Sequence, residues 1–399
     1  MKKGWQTKKI GDVCRLMTGG TPSKAKPEYF GGNIRWLVSG DIHQGEIFDC
    51  EGRITESGMK NSNAKLLPVN SVMIALNGQG KTRGTVALLR TQATCNQSLV
   101  SINPNQPDKL MPEFLYANLH GRYQEIRQMT GDSGDDRRGL NMILIRGIEI
   151  PIAPLPEQQR IVGILDEAFE GIATAKANAE KNLQNARTLF ASHLQSVFTK
   201  RGKGWVNRTL DQACIVERGS SPRPIKEYFT TKADGVNWIK IGDTEEGGKY
   251  VYSTAQKITP EGAKQSRFVK EGDFILTNSM SYGRPYIMKM SGYIHDGWFV
   301  LRLNMAIDTD YFYYLLSSPV VQLQFASLAS GSVVKNISGD LVKQAVLPIP
   351  PLDQQQVIVK KLVALEAETQ RLESLYQHKL AALDELKTSL LHQAFTGQL

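Results

Sequence analysis

The chain is poor in the residues from which self-contained metal and catalytic centres are built. Four cysteines and six histidines are spread over 399 residues. Cys14, Cys50, Cys95 and Cys214 form no Cys-x-x-Cys pair, and no histidine stands at zinc spacing from them, which excludes a zinc-ribbon framework. They read as small buried core residues. No apolar run reaches membrane-spanning length and the N-terminus lacks the apolar stretch of a secretory signal, so the expected compartment is the cytoplasm, without a membrane partner. No Ser/His/Asp or paired-carboxylate set stands out. Asp132, Asp135 and Asp136 cluster beside Arg137 and Arg138, and this mixed run reads as a solvated loop before it reads as a metal site. No catalytic residue and no metal ligand is therefore expected.

The remainder is ordinary in bulk and unusual in arrangement. The chain is 41% apolar and 22% charged, and its net charge is +9. That balance suits a phosphate-binding surface, though many unrelated proteins share it. The arrangement is a tandem repeat. Pro151, Ile152, Pro154, Leu155, Gln158 and Gln159 recur 197 residues later as Pro348, Ile349, Pro351, Leu352, Gln355 and Gln356. Lys3-Gly4-Trp5 recurs as Lys203-Gly204-Trp205, and Cys14 is matched by Cys214. Such a pseudo-two-fold object suits a two-part partner, with duplex DNA the leading candidate.

Each half begins with a globular stretch, at 1–150 and 201–345. Short β-prone runs (Trp36–Val38, Val72–Leu76, Thr85–Leu89, Leu99–Ile102) are separated by Gly and Asn punctuation. A helix is expected after Pro112, with Phe114, Leu115, Leu119, Tyr123 and Ile126 on one face. Trp36 with Gly40-Asp41 matches Trp238 with Gly242-Asp243, and Glu113–Tyr116 matches Asp310–Tyr313. Leu140-Asn141 matches Ile337-Ser338. Each half then ends in an elbow and a long helix, at 151–200 and 346–399. Apolar or small residues recur at steps of three and four, from Ile161 through Leu189 to Val197 and from Ile358 through Leu386 to Ala394, which is a coiled-coil seam. Small residues dominate the first seam and large ones the second, so the two are expected to interdigitate. Repeat symmetry makes the pair antiparallel, and 40 helical residues give a spacer of about 60 Å. The expected class is α+β: two pseudo-symmetric α/β domains separated by two long antiparallel coiled-coil helices.

One motif points elsewhere. Ala75-Leu76-Asn77-Gly78-Gln79-Gly80-Lys81-Thr82 is a relaxed phosphate-loop pattern, which would make Lys81 the key residue of an NTP-dependent enzyme. The required following helix is missing, since Arg83–Leu89 reads as a strand. Arg83 also stands where a dinucleotide fingerprint needs its third glycine. No Asn-Pro-Pro-Tyr-like tetrapeptide of an amino-methyltransferase is present.

Taken together, the residues resemble the specificity subunit of type I restriction–modification systems over nearly the whole chain. The resemblance is carried by Pro154-Leu155-Pro156-Glu157-Gln158-Gln159 and Pro350-Pro351-Leu352-Asp353-Gln354-Gln355, and by the openings Thr18–Pro22 and Arg218–Pro222. It implies two target-recognition domains, each reading half of a bipartite site in double-stranded DNA. It also implies two methyltransferase (modification) subunits docked on helices and domains, and restriction/translocase subunits in the full complex. S-adenosylmethionine would belong to the methyltransferase partner, ATP and magnesium to the restriction partner, and no cofactor to this chain. A pure assembly scaffold that reads no sequence is the remaining alternative.

Base readout needs Arg, Lys, Asn, Gln or hydroxyl groups on exposed loops. Three loops per half supply them. The first half offers Thr21, Ser23, Lys24 and Lys26; Asn77, Gln79, Lys81 and Arg83; and Arg137 and Arg138. The second offers Ser221, Arg223 and Lys226; Asn278, Ser279, Tyr282 and Arg284; and Lys335 and Asn336. The Lys and Arg residues among them suit phosphates better than base edges.

Overall fold

The computed structural model describes residues 4–78, 80–131, 139–245, 247–278, 283–328 and 337–399. The chain forms two compact units. One comprises residues 1–179 and 378–399, the other residues 180–377. Their borders fall inside the long helices.

The first unit is built on a five-stranded sheet. Its strand order is Cys14–Thr18, Leu99–Pro104, Val72–Ala75, Val86–Leu89, Glu46–Ile47, with only the last pair parallel. Val72–Ala75 and Val86–Leu89 are buried on both faces, which is why they read as unbroken apolar runs and not as alternation. One face packs Val72, Ile74, Leu88 and Ile102 against Phe114, Leu115 and Leu119. The other packs Met73, Ala75, Ala87 and Leu89 against Leu37, Ile42 and Ile47. A smaller sheet pairs Phe30–Leu37 with Arg53–Ile54 and Thr94–Cys95. The helix expected after Pro112 is two helices, Pro112–Gly121 and Tyr123–Gln128. The chain breaks at Arg122, beside Gly121, where a Cβ would meet the Leu391 side chain at 3.0 Å.

The second unit repeats the main sheet strand for strand: Cys214–Arg218, Trp298–Leu303, Phe274–Thr277, Pro285–Met288, Tyr250–Val251. The hydrogen-bond register fixes the correspondence. Leu88 N–H donates to Gly45 O (2.8 Å) and Ile287 N–H to Lys249 O (2.9 Å), so Gly45 and Lys249 are equivalent. Matching polar caps recur: Val38 N–H donates to Asp41 Oδ2 and Lys240 N–H to Asp243 Oδ2, both at 2.8 Å. All four cysteines are buried thiols, and burial pushes Cys14, Cys95 and Cys214 up to about 12.

The elbows explain the repeated glutamines. Gln158 is fully buried. Its oxygen accepts from Met111 N (2.9 Å), and its nitrogen donates to Lys109 O and Ala153 O (2.7 Å each). Gln355 is likewise buried, accepting from Asp308 N (2.8 Å) and donating to Pro350 O (2.9 Å). One primary amide thus ties each elbow to the start of the head helix, Pro112–Gly121 in the first unit and Thr309–Ser317 in the second, because an amide carries two donors and an acceptor on one arm.

The long helices run Leu155–Thr199 and Leu352–Thr396. They are antiparallel within each unit: Lys176 pairs with Asp384 in the first, and Arg187 with Glu373 (3.1 Å) in the second. Those two pairs are related by the 197-residue repeat, with cations on the first helix and acids on the second. The expected seam holds at Ile161, Leu165, Ile172, Ala179 and Ala186, and at Leu362 and Thr369. It fails at Leu189 and Leu386, which are about half exposed (51% and 47%). After Ala186 the buried stripe advances in steps of four, through Phe190 and Leu194 to Phe198. At 3.6 residues per turn such steps rotate the stripe away from the partner helix and toward the head. Phe198 accordingly stacks edge-on with Tyr311, and Phe395 with Phe114 (ring centroids 5.5 and 5.1 Å).

Candidate nucleic-acid interface

In each unit the described loop residues lie at one end of the five-stranded sheet. Leu76 N–H donates to Ser98 O and Leu140 N–H to Leu76 O, which brings three segments to a common edge. Thr21 Oγ1 donates to Gln97 Oε1 (2.6 Å) and ties the first loop to the same place. The second unit repeats the connections, with Asn278 N–H to Gly297 O, Ile337 N–H to Asn278 O, and Ser221 Oγ to Asp296 Oδ1 (2.7 Å). Two glycines make the closure possible. A Cβ at Gly19 would lie 1.9 Å from Cys95 O, and one at Gly219 would lie 2.0 Å from His295 O. The sheet-end scaffold is common to both units, while the side chains it carries differ.

In the first unit Ser23, Lys24, Lys26, Asn77 and Lys81 are exposed, and Thr21 is half-buried. The Tyr29 hydroxyl, hydrogen-bonded to Lys26 at 3.1 Å, holds that ammonium above its ordinary value and so fully charged. The Asn77 side-chain oxygen occupies the space beside Gly139, only 1.7 Å from where a Cβ there would stand. The loop is braced from below: Tyr123 OH donates to Lys81 O (3.0 Å) and Arg127 to Gly80 O (2.6 Å). Gly78 and Gly80 adopt positive φ (143° and 62°), so this turn requires glycine. The chain then enters strand Val86–Leu89 and not a helix. The phosphate-loop pattern therefore lacks the helix N-terminus that would meet a phosphate.

In the second unit Arg223 and Lys226 are exposed and Ser221 is half-buried. Asp296 organises this edge. Its carboxylate accepts from Ser221 and pairs with Arg223 (3.3 Å), while its carbonyl accepts from Asn278 Nδ2 (2.7 Å) and Arg218 Nε (3.2 Å). Burial pushes the Asp296 carboxyl upward, but the Ser221 hydroxyl, its own backbone N–H, His295 and Arg223 together hold it below the usual range.

Two expected readers do not lie on exposed loops. Arg83 is buried and donates to Gly131 O (2.9 Å), fastening its loop to the segment that follows the Tyr123–Gln128 helix. Asn278 is also buried, because the register aligns it with Leu76, the last inward residue before the loop, and not with Asn77. Arg284 is half-buried and aligns with Thr85; its N–H donates to Thr277 Oγ1 (3.0 Å). Gln79, Arg137, Arg138, Ser279, Tyr282, Lys335 and Asn336 lie outside the described residues, as do Asp132, Asp135 and Asp136. Sequence reading missed Gln97 and Asp296. The signal was their shared place, two residues before strands Leu99–Pro104 and Trp298–Leu303.

Comparison with known proteins agrees with this doubled architecture. The family described as type I restriction modification DNA specificity domain matches residues 2–184 and again 202–379. The specificity subunit of the type I restriction enzyme EcoR124I/EcoR124II of Escherichia coli is 29% identical over 165 residues, covering 41% of this chain and 40% of that protein. The MjaIX specificity subunit of Methanocaldococcus jannaschii is 22% identical across 100% of this chain and 94% of its own length. Among solved structures, a chain of a type I R-M system studied for complex assembly and conformational transition has a TM-score of 0.83 at 18% identity, covering 100% of this chain and 99% of that one. The HsdS subunit from Thermoanaerobacter tengcongensis has a TM-score of 0.67 at 18% identity, covering 100% and 98%. These two likenesses concern the fold, and the two matches to the family, each spanning one repeat, decide the assignment: the chain belongs to the type I restriction modification DNA specificity family.

Proposed function

We propose that this chain is the non-catalytic DNA-reading subunit of a type I restriction–modification assembly. Each unit reads one half of a bipartite site in double-stranded DNA through the loops at its sheet end. The long helices fix the unspecified spacer and dock two methyltransferase subunits, with restriction/translocase subunits joining the complete assembly. The chain holds no cofactor: S-adenosylmethionine is bound by the methyltransferase partner, and ATP with magnesium by the restriction partner. The assembly works in the cytoplasm without a membrane partner. Among the described residues no helix is long and apolar enough to cross a membrane.

The observation that carries this reading is the sheet-end scaffold built twice with different side chains. Lys24, Lys26 and Lys81 stand on one copy, and Arg223 and Lys226 on the other. Two unlike readers on one frame suit a target whose halves differ in sequence. The test is a selection of random duplexes by the full chain together with its methyltransferase partner. Two short motifs separated by an unspecified spacer are expected. A single continuous motif, or no sequence preference, would overturn the reading. The full chain alone should neither hydrolyse ATP nor methylate DNA.

A further inference from the structure

The two units are near copies, so a place where one is filled and the other hollow is informative. Such a place lies beside the head helix. In the second unit Lys249 fills it. Its ammonium pairs with Asp310 (2.7 Å) and lies 5.5, 5.0 and 5.0 Å from the ring centres of Tyr250, Tyr313 and Tyr314. Phe190 closes the cage against Tyr314 (6.2 Å).

In the first unit the same position is a cavity of about 380 Å³. The residue equivalent to Lys249 is Gly45, and a Cβ there would meet the Tyr116 hydroxyl first, at 3.6 Å. The repeat offset places Ala117 where Tyr314 stands, so a second large side chain is also missing. The acidic and aromatic groups remain. Glu113 takes the place of Asp310 and Tyr116 that of Tyr313, while Glu46 and Asp166 also face the space. Two cations face it as well. Arg90 meets one oxygen of Glu46 and one of Glu113 (2.7 and 2.8 Å), leaving the second oxygen of each carboxylate to accept. Lys387 lies over the Phe169 ring at 5.0 Å. Three carboxylates against two cations leave one negative charge in excess. His120, held neutral by burial, adds none.

We infer that this cavity is a binding site for a primary alkylammonium group of lysine side-chain size, the role that Lys249 fills from within in the other unit. Glu46, Glu113 and Asp166 supply the counter-charge, and the Tyr116 face supplies a cation–π contact. None of the expected DNA-reading residues lines this cavity, and the inference does not rest on the function proposed above.

The experiment is ligand-observed NMR titration of the full chain with n-butylammonium at neutral pH. Saturable binding is expected, at least tenfold weaker in Ala117→Tyr, which installs the tyrosine of the twin unit. Asp166→Asn, an exposed change that leaves the core intact, should weaken binding several-fold and decides the matter if Ala117→Tyr fails to fold. N-acetyl-lysine-N-methylamide forms the second arm. Binding of both probes identifies a lysine donated by another chain as the natural occupant, and binding of butylammonium alone identifies a small free amine. No saturable binding of butylammonium, or equal binding by wild type and both variants, would overturn the assignment.

Discussion

Replacing Gln158 by methionine removes the elbow's amide at nearly constant volume. Three groups lose their partner: Met111 N–H, Lys109 O and Ala153 O. Ala153 is buried, so its carbonyl loses the full benefit of pairing, at about 1–3 kcal/mol. Lys109 is exposed and Met111 half-buried, so water recovers part of the loss, leaving about 1 kcal/mol each. The sum is about 3–5 kcal/mol, a large share of the 5–15 kcal/mol typical of a folded domain. For a unit of this size it corresponds to a fall in Tm of roughly 6–20 °C. Gln355→Met loses only two partners and should cost less, about 2–4 kcal/mol. Gln159 is the exposed neighbour, and its methionine variant should stay within about 0.5 kcal/mol of wild type. Calorimetry gives the midpoints, and hydrogen exchange at residues 109–115 locates the loosening. If Gln158→Met melts within a degree of wild type, or Gln159→Met is equally damaging, the clamp is not what secures the elbow.

Three further outcomes follow from other features. Asp384→Lys should destabilise the first unit by no more than about 1 kcal/mol, because the pair is exposed, and Lys176→Asp added to it should restore the midpoint in thermal melts at low salt. Alanine at Lys24, Lys26 and Lys81 together should weaken recognition of one half-site only. It should also flatten the salt dependence by about one unit of slope for each phosphate no longer neutralised, read by binding titrations at several salt concentrations. Burial depresses His120 to about 4 from its ordinary 6.5, with Lys387 adding to the effect, so the unfolded chain binds the proton first. Stability should therefore fall as pH drops from about 6.5 toward 4, by up to roughly 3 kcal/mol, and His120→Asn should remove that slope in denaturant melts across the same window.

The frame was legible in the sequence because repetition and periodicity report burial directly. Both elbows, both long helices and their antiparallel pairing follow from spacing and symmetry. What escaped is decided by tertiary contact. Leu189 and Leu386 fit a heptad, yet the last turns of each helix pack on a head helix, where Phe198 and Phe395 serve better. Arg83 and Asn278 carry the chemistry of base readers, but one residue of register decides whether such a group faces solvent or strand neighbours. Gln97 and Asp296 were overlooked because a lone polar residue before a strand has no periodicity to betray it. The Lys249 cage could not be seen at all, since its parts come from three separate stretches of chain.

The composition of the first unit also bears on how it is made. Its core includes Leu391 and Ala394 beside Phe114, Ile161 and Leu165, so residues 378–399 are part of the fold that residues 1–179 begin. The other unit is one uninterrupted stretch, 180–377. During synthesis the N-terminal stretch must wait for about 200 further residues, some 10–40 s at cellular rates. Throughout that wait Leu165 and Phe114 lack their covering residues. The usual order of vectorial folding is thereby inverted: the later unit can be completed first, and the earlier one only after residues 378–399 have left the ribosome. A truncation that removes the final two turns of the second long helix should therefore damage the first unit before it touches the second.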